Sequence, residues 1–165
     1  MYRDLQLSIY QNKLDRGFNV KDVGKEILLM TEEFGELCDA LLKDDRPGII
    51  DAVGDLECYC LGLCAMFGVD ADRYVNRQVD FPYSSQSLAD YIPYAGRHLG
   101  MLAKSYKMSD KAPADCIDRR DDLLSRTGML LGLCSFMFRS IGADEKAVLE
   151  GIVKANLART HSGKI

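Results

Sequence analysis

Four acidic residues in the first part of the chain are spaced so that they could act together. Glu33 and Glu36 are three positions apart, and Asp51 and Asp55 are four positions apart. Residues at these spacings lie on one side of a helix. If the two segments pack together, the four carboxylates converge, and their repulsion favours a divalent cation that neutralises them. Oxygen ligands without His or Cys indicate Mg²⁺ or Mn²⁺. The alternative is an acidic face that is only solvated.

The segments that carry these acids have the apolar spacing of amphipathic helices. Apolar side chains recur every three or four positions between residues 20 and 43, and again between 47 and 67. The charged stretch 43–48, which includes a proline and a glycine, separates the two, and Gly68 follows the second. The sequence therefore predicts an antiparallel helical hairpin that brings the two acidic pairs together.

The remainder of the chain also has helical spacing, and strand patterns are almost absent. Further helices are predicted over residues 70–79, over 87–107, from the end of a loop at 108–113 to Ser140, and from the end of a break at 141–144 to Ala158.

The two halves of the chain resemble each other. The tetrapeptide Leu-Gly-Leu-Cys occurs at 61–64 and again at 131–134. We therefore predict an all-α helical bundle that is a divergent tandem repeat of a helical hairpin. Its halves, 1–80 and 84–165, would pack as one unit on either side of a hinge at 81–85. Chance recurrence of a short apolar sequence is the alternative.

Composition excludes several classes of protein. The 165 residues are 47% hydrophobic and 28% charged, which indicates one soluble folding unit. No apolar run has the length of a membrane span, and the N-terminus lacks a secretion signal, so we expect a cytoplasmic protein. Six Cys are predicted to pack as core thiols, and only two His are present, so zinc is disfavoured. A pI near 5.2 without a dense basic stripe argues against nucleic-acid binding.

Residues 23–79 resemble the all-α nucleoside triphosphate pyrophosphohydrolases of the MazG and phosphoribosyl-ATP pyrophosphohydrolase superfamily. The motif of that superfamily pairs E-x2-E on one helix with E-x2-D on the next. Glu33, Glu36 and Asp55 match this motif. Ala52 stands where the remaining Glu is expected, so either Asp51 replaces that Glu or the site is one ligand short.

The resemblance implies hydrolysis of a nucleoside triphosphate, ribo or deoxy, to the monophosphate and pyrophosphate, with Mg²⁺ or Mn²⁺ as cofactor. The implied metal ligands are Glu33, Glu36, Asp51 and Asp55. Glu32 or Glu36 would accept a proton from water. The basic C-terminal segment would hold phosphates through Lys154, Asn156 and Arg159. A homo-oligomer, most simply a dimer, is also implied.

Two other functions stay open on the sequence. The chain could be a catalytically weakened nucleotide-binding or regulatory protein, because of Ala52, or a helical adaptor without a nucleotide. The second half lacks the acidic motif and is not expected to form a second site. Glu57 lies at the edge of an apolar stripe, and two roles for it stay open, an interface salt bridge and a contact with the base of the substrate.

Overall fold

The computed structural model describes residues 2–75, 87–108 and 120–158, and all regular structure in these ranges is helical. The predicted all-α class is therefore confirmed. The described α-helices are α1 (Tyr2–Arg16), α2 (Val23–Leu42), α3 (Arg46–Met66), α4 (Ile92–Met108), α5 (Arg120–Ile141) and α6 (Glu145–Ala158). Two short 3-10 helices lie at Ala71–Arg73 and Leu88–Tyr91.

Some predicted features fall wholly or partly on residues that the structure does not describe. The hinge at 81–85 and the end of the helix predicted over 70–79 lie outside the described residues, and within 70–75 only the short 3-10 helix is present. Most of the loop predicted at 108–113 also lies outside them. The division of the chain into two repeated halves stays a prediction.

Helices α2 and α3 form the hairpin that the apolar spacing predicts. Each begins at an aspartate that caps it: the Asp22 carboxylate accepts from the Lys25 backbone N–H at 3.0 Å, and the Asp45 carboxylate accepts from the Gly48 N–H at 3.2 Å. Asp44, in the turn, has a positive φ of 52°, a conformation that aspartate adopts more readily than most residues. The two aspartate caps and the turn at Asp44 therefore set the ends of both helices and reverse the chain direction between them.

Helix α3 lies at the centre of the protein and packs against α1, α2, α5 and α6. Its apolar side is fully buried, including Leu56, Leu61 and Leu63. At Gly54 a Cβ atom would lie 2.5 Å from the Cδ1 atom of Ile152. The missing side chain therefore lets α6 approach α3 one residue before Asp55. Helices α4 and α5 form a second hairpin, which packs on the first through α2 and α3.

The cysteines contribute to this core. Cys58, Cys60, Cys64 and Cys134 are buried, and Cys38 is half-buried. All five are free thiols, and the sixth cysteine of the prediction, Cys116, lies outside the described residues. None of the helices in the described ranges is long and apolar enough to cross a membrane.

Glu57 belongs to a polar cluster inside the core. Its side chain is fully buried, and neither carboxylate oxygen has a hydrogen-bond partner among the described residues. Burial, and then the charge of Glu145, holds the pKa of Glu57 well above its ordinary value. The Glu145 carboxylate accepts from the Ser135 hydroxyl at 2.9 Å and contacts the Tyr2 hydroxyl. Glu57 is thus a core residue, and in the part of the chain that the structure describes its fully buried side chain makes neither of the two contacts that the sequence left open, an interface salt bridge or a base contact.

We expect Glu57→Gln to change how stability depends on pH. A carboxyl whose pKa is raised by folding contributes its full stability below its ordinary pKa of 4.5, and this contribution is lost as pH rises towards the folded-state value. The wild type should lose up to about 1.4 kcal/mol per pH unit from this one group, and the variant should not. Urea unfolding of both proteins from pH 5 to pH 8 measures the difference, and parallel curves would contradict the prediction.

Candidate active site

A cleft forms where α2, α3 and α6 meet, and its volume is about 160 Å³. Helix α2 contributes Glu33, α3 contributes Asp51 and Asp55, and α6 contributes Asn156. We call it the acidic cleft and define it by its principal lining residues, Phe18, Glu33, Asp51, Asp55, Tyr59 and Asn156. Three of the four predicted metal ligands therefore line one cavity.

The charges around this cleft act most strongly on Glu33. Its half-buried carboxyl has a pKa raised from 4.5 to about 8. Burial is the largest cause, followed by the negative charges of Asp55, Glu36, Glu32 and Asp51. All five predicted acids therefore lie close enough to interact. Glu32 and Glu36 are exposed on α2 and lie outside the lining of the cleft.

The side chains as placed do not form a ready coordination shell. Among the described residues, no three His, Cys, Asp or Glu side chains are grouped closely enough to hold a metal ion. The donor chemistry nevertheless fits a hard divalent cation, because every acid here offers oxygen ligands. Burial, and then the negative charges of the neighbouring acids, raises the pKa of Glu33, and a bound cation would offset both effects.

Ala52 does not share the environment of its acidic neighbour. Its side chain is 3% exposed, whereas Asp51 is exposed and lines the acidic cleft. Because successive residues of a helix point in different directions, the side chain of Ala52 faces the core while that of Asp51 faces the cleft. The structure therefore presents Asp51, together with Asp55, on the cleft side of α3.

The predicted phosphate contacts fall in different places. Asn156 lines the acidic cleft. Lys154 lies two residues earlier on α6, which places it nearly on the opposite side of the helix. It lines a separate groove of about 520 Å³ between α1 and α6, together with Asp4 and Glu150. Arg159 lies outside the described residues.

Several residues of the cleft were not singled out from the sequence. Phe18 follows α1, and Tyr59 lies four positions after Asp55, so that both residues of α3 share one face. The four-residue spacing from Asp55 indicates that Tyr59 lies on the same face of the helix, but a tyrosine between two cysteines is equally consistent with an apolar core. Burial, and then the charge of Glu33, raises the pKa of the Tyr59 hydroxyl. The aromatic residues give the acidic cleft an apolar wall.

Comparison with known proteins finds a family that the first part of the chain resembles. Residues 9–79 match the family model described as phosphoribosyl-ATP pyrophosphohydrolase. The match covers α2 and α3 entirely and confirms the predicted resemblance over this region. At the level of the family it supports a pyrophosphohydrolase-type hydrolase. No curated protein and no solved structure matches the chain.

Proposed function

Because residues 9–79 match the model of a pyrophosphohydrolase family, we propose that the protein hydrolyses a nucleoside triphosphate, ribo or deoxy, to the monophosphate and pyrophosphate. The observation that carries this proposal is the convergence of Glu33, Asp51 and Asp55 on one cleft. In this reaction water adds to phosphorus, the bond between the α- and β-phosphates breaks, and pyrophosphate leaves. The proton of the attacking water must pass to a base.

We assign Mg²⁺ as the cofactor, with Mn²⁺ as a cation of the same ligand preference. Glu33, Asp51 and Asp55 in the acidic cleft, with Glu36 beside it, would hold the ion. Bound Mg²⁺ supplies Lewis acidity, which offsets the charge that develops on the phosphate oxygens. The metal also explains why the chain tolerates a cluster of acids that repel one another.

The chain itself supplies the base and the walls. Glu32 and Glu36 are exposed on α2 next to the cleft, so either carboxylate is free to accept the proton of the attacking water. Phe18 and Tyr59 cover the apolar side of the cleft and exclude bulk water from it. Asn156 on α6 faces the acids and offers an amide donor to phosphate oxygens.

The proposal is tested by pyrophosphate release from a panel of ribo- and deoxynucleoside triphosphates, each assayed with Mg²⁺, with Mn²⁺ and with EDTA. We expect release that depends on the metal and stops in EDTA. Circular dichroism in each buffer verifies that the protein is helical. If folded protein releases no pyrophosphate from any substrate with either metal, the proposal is refuted, and a binding or regulatory role takes its place.

Alanine substitutions of Asn156 and Lys154 compare the two predicted phosphate contacts. Asn156 lines the acidic cleft and Lys154 does not. We therefore expect Asn156→Ala to lower kcat/KM about tenfold, which corresponds to the loss of one hydrogen bond to a charged group. Lys154→Ala should change it less than Asn156→Ala does. A larger loss for Lys154→Ala, measured with the preferred substrate, would place the phosphates in the other groove.

Self-association and a cytoplasmic location stay predictions. Leu7, Leu28 and Leu42 on α1 and α2 are 61%, 67% and 86% exposed, and self-association that covered them would remove apolar surface from water. A dimer would have twice the mass of the 18.4 kDa chain. Sedimentation equilibrium over a range of concentrations measures this mass, and a species of 18.4 kDa at every concentration would contradict the prediction.

A further inference from the structure

A buried amide next to the acidic cleft has no partner. Asn12 on α1 is 5% exposed, and its Nδ2 atom has no hydrogen-bond acceptor among the described residues. The side chain lines a small lobe of about 50 Å³ that shares Phe18, Asp55, Tyr59 and Asn156 with the acidic cleft. An unpaired buried amide destabilises the folded protein. A ligand that enters the lobe and accepts a hydrogen bond removes this cost.

The walls of the lobe suit a flat ring. Phe18 and Tyr59 are its aromatic components, and aromatic side chains stack on nucleobases. The Nζ atom of Lys13 lies 4.6 Å from the centre of the Tyr59 ring and pairs with the buried carboxylate of Glu26. Lys13 therefore has its counter-ion within the protein and holds Tyr59 in place. Asp55 and Asn156 also line the lobe, but the proposed function assigns them to the metal and the phosphates. The amide of Asn12 is therefore the group that is left to recognise a base.

We propose that the Asn12 lobe binds the base of the substrate and that this base is a pyrimidine, whose carbonyl oxygen accepts from Asn12 Nδ2. This inference rests on the proposed function, because the lobe adjoins the cleft where the phosphates would bind. The size of the lobe favours one ring over two: 50 Å³ has room for about four water molecules, at roughly 10 to 15 Å³ of cavity volume for each. The edge of a six-membered ring needs less room than a bicyclic purine.

The test compares substrate preference in the wild type, Asn12→Ala and Asn12→Leu. Leucine has nearly the shape of asparagine, offers no amide donor and adds no buried charge beside Asp55, so Asn12→Leu fills the space of Asn12 if the alanine variant does not fold. The wild type should turn over uridine, thymidine or cytidine triphosphates in preference to adenosine and guanosine triphosphates. Each substitution should lower kcat/KM for the preferred pyrimidine tenfold or more, and for purines less than twofold.

A control variant and a binding assay complete the design. Gln11→Ala changes an exposed neighbour that bonds Asp15 on the surface of α1, and it should leave the preference unchanged. Preference for a purine, or equal losses on all bases in both Asn12 variants, would overturn the inference. Calorimetric titration with the α,β-methylene analogues of UTP and ATP separates the two proposals. Tighter binding of the UTP analogue that Asn12→Leu abolishes, in a protein without turnover, would support the base site and refute the hydrolase.

Discussion

Glu33→Gln is expected to lower kcat for pyrophosphate release at least a hundredfold and to leave the helical content unchanged. Glu33 lines the acidic cleft, and after burial the charges of four neighbouring acids, Asp55, Glu36, Glu32 and Asp51, raise its pKa. Glutamine has nearly the same volume but no charge, and its amide is a weak ligand for Mg²⁺. The substitution therefore removes a proposed metal ligand without creating a cavity.

The same variant should be more stable than the wild type in EDTA. Without a metal, the raised pKa of Glu33 means that the folded state resists ionisation of this carboxyl. Its contribution to stability is full below the ordinary pKa of 4.5 and is lost as pH rises towards about 8. Glutamine does not ionise, so its advantage grows over this interval to about 1 kcal/mol, a value reduced for solvent screening of a half-buried group.

Loss of activity together with a gain in stability distinguishes a metal ligand from a residue that only supports the fold. Asp39→Asn is the matched control, because Asp39 is an exposed carboxylate on the same helix and does not line the cleft. It should change neither turnover nor the pH dependence of unfolding. If Glu33→Gln retained wild-type turnover with Mg²⁺, the assignment of the acidic cleft as the metal site would be refuted.

The hairpin that carries the site was predictable because its signals are local. Apolar spacing predicts helices over 20–43 and 47–67, and the structure has them at Val23–Leu42 and Arg46–Met66. The charged stretch between them contains the Asp45 cap and the turn, so the ends of both helices are set by neighbouring residues. The convergence of the acids follows from helix geometry and antiparallel packing alone.

Helix α1 was not predicted, because its apolar residues do not form one stripe. Leu5 and Ile9 are buried, but Leu7 and Leu14 are 61% and 47% exposed. The buried side of α1 is completed by polar residues such as Asn12, whose burial depends on α3 and α6. Nothing in the local sequence distinguishes a buried asparagine from a solvated one. The Asn12 lobe could therefore be found only in three dimensions.

Packing between distant helices also decides which side of α6 meets the acidic cleft. The basic C-terminal segment indicated anion contacts for Lys154 and Asn156 alike, but the two residues lie on different sides of α6. The side that faces the cleft is set by Gly54 on α3, which leaves room for Ile152. Composition of the segment carries no information about this contact.

Ala52→Glu restores the residue that the E-x2-D motif expects, and we predict that it destabilises the protein without raising turnover. Ala52 is 3% exposed, so a glutamate there must place its carboxylate in or near the core. An unpaired buried carboxylate costs about 2 to 4 kcal/mol of folding free energy, judged from substitutions that bury polar groups. Ala52→Gln separates the effect of charge from the effect of size, because glutamine and glutamate side chains have the same length. At pH 8, Ala52→Gln should lose less stability than Ala52→Glu.

Turnover of the same variants decides whether the native site is complete. Asp51 is exposed and lines the cleft, so Asp51→Asn should lower kcat tenfold or more. Ala52→Glu in the wild-type background should bring no gain, since under our proposal Asp51 already supplies the ligand. If Ala52→Glu instead raised turnover strongly, the native chain would be one ligand short, and the catalytically weakened binding protein would be the better description. Rescue of Asp51→Asn by Ala52→Glu would show that a glutamate at position 52 reaches the cleft, and would contradict the core placement on which the prediction rests.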